Sequence, residues 1–300
     1  MDFNEFALLH HNREFRLACH ECKAAAFQSF FEKIMQKHDP TFISVKPSGR
    51  EGDWKCDGFS QASGTVYQCY APENLKETQT INKIKEDFDG AKTKWGSKMK
   101  AWVFVWSADN ALSPRIVDTL LQLKTDNSAL TIDDWGREAL WQITANLSSE
   151  DRVDILGVVP SPHAATETSA AEIQTLLNYL AKRDMALPLD NLELTELAEK
   201  IKKNKLSEYV SIMIRTALPI AREVETYTRK HPDINHSEIV ASHLVDKYKT
   251  LTKTTGIDPD MIFGGLVKYV ANKQMDQPKY YWAAIGIVTH YFQLCELFER

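Results

Sequence analysis

GDWKCDGF (residues 52–59) and VYQCYAPE (residues 66–73) are the two stretches on which the fold reading turns. SQASG lies between them and supplies turn residues, so the pair reads as a β-hairpin. In an extended strand alternate side chains share a face. Asp53, Lys55 and Asp57 are therefore expected on one face and Trp54 and Cys56 on the other, while Val66, Gln68 and Tyr70 share a face of the partner strand. If Asp57 pairs near Gln68, a carboxylate and an amide oxygen converge. Hard cations such as Mg²⁺ take such oxygen ligands, and a neighbouring lysine could orient or deprotonate an attacking water. Asp-Gly and Gly-Asp are also common turn signals, so a plain turn is the competing reading.

Upstream, residues 14–37 place Phe15, Ala18, Cys22, Ala26, Phe30 and Ile34 at helical spacing. ISV is a short strand after them. Downstream, Pro72 stops the second hairpin strand, residues 74–95 read as a charged surface helix, and KAWVFVWSA reads as a buried central strand. Ser113 and Pro114 open a further helix, and ALTIDDWGREALWQIT passes from strand to helix. The order is helix, three strands, helix, strand, helix, strand, helix.

Residues 158–172, VVPSPHAATETSAAE, mix proline, serine, threonine and alanine and read as an interdomain linker. Everything beyond is helical in pattern, with Pro219 expected to kink a helix over residues 206–230. The fold class that follows is an α/β N-terminal domain, residues 1–157, with a mixed central sheet flanked by helices. A linker at 158–171 and an all-α C-terminal domain at 172–300 complete it.

The 300 residues carry a formal net charge of −5 and 43% hydrophobic residues, which suits two domains and excludes a general polycation. No apolar run approaches the roughly 20 residues of a membrane helix, and MDFNEFALLHHNREF lacks a signal-peptide layout. A cytoplasmic protein with no membrane contact is the expectation. Five cysteines, an odd number, fit a reducing compartment and free thiols. Cys19, His20 and Cys22 suggest a metal half-site, but Cys22 lies on the apolar stripe, which favours packing. Lys83, Lys85, Lys92, Lys94, Lys98 and Lys100 could meet phosphates, yet acids interleave with them, as on a solvated helix face.

The element order, with Asp57 in CDGF on one strand and Gln68 in VYQCY on the next, resembles the PD-(D/E)xK, or restriction-endonuclease-like, superfamily, nearest its Mrr-like branch. The resemblance spans about the first 150 residues. It implies Mg²⁺-dependent cleavage of DNA, with Asp57 and Gln68 in the acidic and Glu/Gln positions and Glu21 matching a helical glutamate that some members add. Asp53 would assist the metal. The family's lysine, two residues past the glutamine, is replaced by Tyr70. A phenol carries no positive charge at neutral pH. Lys55 and Lys76 are the candidates for a migrated lysine, Lys55 being favoured by strand alternation. Two readings stay open: an endonuclease, or a nuclease fold without its lysine that binds DNA or a partner.

The final helix, YYWAAIGIVTHYFQLCELFER, is apolar nearly all round and needs burial in its own domain or against a partner. With the YFQLCELFE ending, the arrangement also resembles the effector subunits of bacterial Lamassu-like three-component ATPase defence systems. That implies docking through the helical domain onto an SMC-like ATPase complex. Self-association is left open by the sequence.

Overall fold

The computed structural model describes residues 2–46, 54–107, 111–182, 197–254, 256–294 and 297–299. It is mostly helical, with one mixed five-stranded sheet and helices around it. Two compact units emerge, one of residues 18–156 and the other of residues 2–17 together with 157–299.

The sheet unit begins with the end of α1 (Phe3–Glu21), followed by α2 (Ala25–His38), β1 (Phe42–Ser44), β2 (Gly58–Ser60) and β3 (Thr65–Tyr70). Next come α3 (Glu77–Trp95), β4 (Ala101–Trp106), α4 (Pro114–Asp126), β5 (Thr131–Trp135), α5 (Arg137–Ala145) and α6 (Ser149–Leu156). Strand order follows the chain: β1, β2 and β3 form an antiparallel meander, and β4 and β5 continue parallel to β3. The α3 crossover explains that parallel pairing, since parallel neighbours need a long connection. Val66, Ile84, Phe88, Trp102, Phe104, Ile116 and Leu120 form the core between the sheet, α3 and α4. Phe31 of α2 meets Phe42 and Tyr67 on the other face.

The single helix expected at 14–37 is two helices. Ala24 takes a left-handed φ of 46° and donates its N–H to Ala71 O at 2.8 Å, ending one helix and starting the next. The expected strand at 53–59 is also shorter. Trp54 and Lys55 both sit at φ 55°, so extended geometry starts only at the ladder bonds of Asp57. Asp53 lies outside the described residues.

The helical unit contains α7 (Pro162–Thr166), α8 (Ala170–Ala181), α9 (Leu197–Lys203), α10 (Glu208–Thr216), α11 (Leu218–Lys230), α12 (His236–Thr252), α13 (Pro259–Ala271) and α14 (Pro278–Leu294). Residues 206–230 are α10 and α11 meeting at Ala217, with Pro219 in the first turn of α11, where its missing donor costs no helical bond. α14 is the centre, with Tyr281 through Phe292 buried among α7, α8, α10, α11, α12 and α13. Among the described residues, the apolar stretch of the final helix is thus buried within its own unit.

The segment read as a linker is built into this unit. Trp282 Nε1 donates to Ser161 O at 2.8 Å, and Ser169 and Glu172 close a capping box on α8. Residues 2–17 belong here too: fully buried Arg13 is hydrogen-bonded to Tyr281 and Glu14 and lies over the Tyr209 ring, while His10 Nδ1 meets Tyr209 Oη at 2.8 Å.

Candidate functional site

Asp57 stands at the mouth of β2, where its N–H donates to Tyr67 O at 2.8 Å and its carbonyl accepts from Val45 N at 3.2 Å. The following Gly58 lies beneath the Phe42 ring, and a Cβ there would come within 2.3 Å of Phe42 Cζ. Close approach, rather than a turn, is therefore what the Asp-Gly pair serves; the hairpin turn itself falls at Gly64, with φ 67°.

One step along β3, beyond the end of β2, the Cys69 N–H has no ladder partner from that strand. Asp57 Oδ2 accepts it at 2.7 Å and accepts Gln68 Nε2 at 2.9 Å. Asp57 and Gln68 are 7% and 5% exposed, so this arrangement is internal. Sequence expected the amide oxygen of Gln68 to converge with the carboxylate; the amide nitrogen does so, because an ionised carboxylate only accepts. Gln68 Oε1 is buried and has no hydrogen-bond partner among the described residues. The neighbouring Cys69 thiol is pushed well up by burial, then by Asp57, Glu32 and Cys56, so it stays protonated rather than acting as a nucleophile.

Lys55 reaches toward α3. Its Nζ binds Glu86 at 2.6 Å and the buried Asp87 at 3.3 Å, and Lys83 also holds Asp87, at 2.8 Å. The hydrogen bond that Lys55 donates to Glu86, ahead of the charge of Asp87, holds the Lys55 ammonium above its ordinary pKa. The strand alternation that put Lys55 on the Asp57 face does not exist at two left-handed residues. Tyr70, in the position of the lysine, pairs with Trp106 of β4 and lies 5.7 Å from the Phe104 ring. Glu21 is the exposed last residue of α1, and Lys76 is the exposed residue before α3. Asp134, in β5, accepts from Trp106 Nε1 at 3.3 Å.

The buried carboxylate of Asp87 was missed by sequence. Its signal was available in the Lys83–Asp87 spacing of four on a helix. Among the described residues no three His, Cys, Asp or Glu side chains group as a metal ion would require, and the described cysteines are free thiols. No helix among the described residues is long and apolar enough to cross a membrane.

Residues 171–299, within the helical unit, match the family model described as C-terminal domain 10 of the ABC-three component (ABC-3C) systems. The chain thus carries a domain similar to the C-terminal domain of a component of such systems. The sheet unit lies outside the match. No curated protein and no solved structure matches the chain.

Proposed function

We propose that the protein is the effector subunit of an ABC-three component defence complex, with the sheet unit a metal-dependent DNA endonuclease and the helical unit the part that engages the other components. The observation that carries the nuclease reading is the Asp57–Gln68 pair: an acid at the mouth of β2 bonded to a glutamine in β3, within the order α2, β1, β2, β3, α3, β4. The likeness of residues 171–299 to an ABC-3C C-terminal domain supports the complex, and an ATP-binding partner of SMC-like type is the component expected to hold the effector silent.

On this reading Mg²⁺ would be held weakly, with the Gln68 amide turned so that its oxygen rather than its nitrogen faces the metal. Asp57 would supply the carboxylate and Gln68 Oε1, buried without a partner among the described residues, the amide oxygen. Bound there, the ion would polarise a phosphodiester and lower the pKa of water. This chain's own contributions are the ladder bonds that fix Asp57, the Phe42 ring packed onto Gly58, and a cation. Lys55 is the leading candidate for the cation and Lys76 the next; Glu21 and Asp53 would add acidic support.

A second reading is favoured by Lys55 being engaged with Glu86 and Asp87 and by Tyr70 in the lysine position: a nuclease fold that binds DNA or a partner without cutting. Titration of Mg²⁺ or Mn²⁺ with plasmid DNA, on the full chain together with its partner components, separates the two. Metal-dependent nicking supports the enzyme. DNA binding without nicking supports the binding module, and Tyr70→Lys gaining metal-dependent cutting would identify the loss that made it one.

A further inference from the structure

α11 and α14 are held in close contact where Gly286 faces Ile220; a Cβ on Gly286 would come within 2.3 Å of Ile220 Cγ2. Further along the same two helices a cleft of about 360 Å³ opens, at the small end of the volumes that bind ligands. Its walls are chemically mixed in a specific pattern. Arg222 and Arg229 lie two turns apart on α11 with Glu225 between them, and Glu225 binds Arg229 at 2.7 Å. Ser237, the second residue of α12, brings the positive end of that helix to the cleft.

The α14 wall supplies His290 and Gln293, flanked by apolar Ala221 and Leu294. His290 is 6% exposed and its Nε2 has no hydrogen-bond partner among the described residues. Burial, then the charge of Arg229, lowers its pKa to about 4, so the ring is neutral at pH 7 and the charge pattern is set by the two arginines and Glu225.

We propose that this cleft binds a nucleoside monophosphate. Arg222 and the α12 end receive the phosphate, since a guanidinium fork matches phosphate oxygens bidentately. The Glu225–Arg229 pair takes the sugar hydroxyls, a carboxylate accepting from neighbouring hydroxyls. His290 and Leu294 cover the base, whose edge Gln293 can both donate to and accept from. The site is independent of the nuclease reading, lying wholly within the helical unit.

Calorimetric titration of the full chain with AMP, GMP, CMP, UMP and inorganic phosphate tests it. The expected result is saturable binding of at least one monophosphate, tighter than phosphate alone. Arg222→Ala and Arg222→Lys should each weaken it at least tenfold, while Arg215→Ala, an exposed arginine of α10 outside the cleft, leaves it unchanged. Thermal melts that match wild type show that the Arg222 variants are folded. Inorganic phosphate binding as tightly as every monophosphate would overturn the nucleoside assignment. Absence of saturable binding by all five probes, or binding indifferent to Arg222, would overturn the site.

Discussion

Gln68 Nε2 donates to Asp57 Oδ2 at 2.9 Å, and the same oxygen accepts the Cys69 N–H at 2.7 Å. Asp57 is therefore both the acid of the candidate site and the acceptor that completes β3 past the end of β2. Asp57→Ala strips two internal donors of their partner, which costs about 2–4 kcal/mol. Chemical denaturation should show that loss, and a variant as stable as wild type would contradict the burial of the pair.

The Lys55, Lys83 and Asp87 cluster should behave non-additively. Lys55→Ala alone leaves Lys83 on the buried carboxylate and costs under about 1 kcal/mol. Removing both lysines leaves Asp87 buried without either cation and costs about 3–5 kcal/mol. A double-mutant cycle reads the difference directly. Additive losses would mean that the two lysines do not share Asp87.

Gly286→Ala drives a methyl against Ile220 at the α11–α14 contact, where a branched β-carbon and not a flexible tip is the obstacle. Overpacking of this kind costs about 1–3 kcal/mol. A melting temperature unchanged within error would place the two helices further apart than described.

Acid should weaken the helical unit. Burial lowers His10, with Arg13 and His11 adding to it, and lowers His236, with His231 adding to it; His290 falls to about 4. A histidine whose folded pKa is depressed contributes stability that is complete above its unfolded pKa of about 6.5 and is lost as pH falls toward the folded value. For His290 the full effect is on the order of 3 kcal/mol between pH 6.5 and 4. His290→Gln should flatten that part of the stability profile, and proton NMR should show the ring still neutral at pH 5.5. A ring already charged at that pH would contradict the buried environment.

The alternation of strands and helices from Phe42 to Ala145 was legible because each element carries its own signal: the apolar run of β4, Pro114 opening α4, and the turn residues before Gly64. Ser169 and Glu172 form the capping box of α8, a helix-start signal that the linker reading of residues 158–172 passed over. Asp57 and Gln68 were legible as neighbours because two-residue periodicity fixes what a hairpin brings together. Lys55 was not. Its position depends on two non-glycine residues at positive φ and on Gly90, where a Cβ would come within 2.6 Å of the Lys55 side chain. No local pattern in the sequence encodes that tertiary packing. The burial of Arg13 is equally non-local, since Tyr209 and Tyr281, nearly 200 residues away or more, surround it.

The most direct test of the nuclease account is plasmid cleavage by the partner-reconstituted complex carrying wild-type or Asp57→Asn effector, in Mg²⁺ and in chelator. Asparagine keeps the shape and an acceptor oxygen while removing the charge. The account predicts Mg²⁺-dependent cutting by wild type and a loss of at least about 100-fold with Asp57→Asn, at matched DNA affinity and matched thermal stability. Equal cutting by the two proteins, or wild-type cutting that persists in chelator, would contradict it.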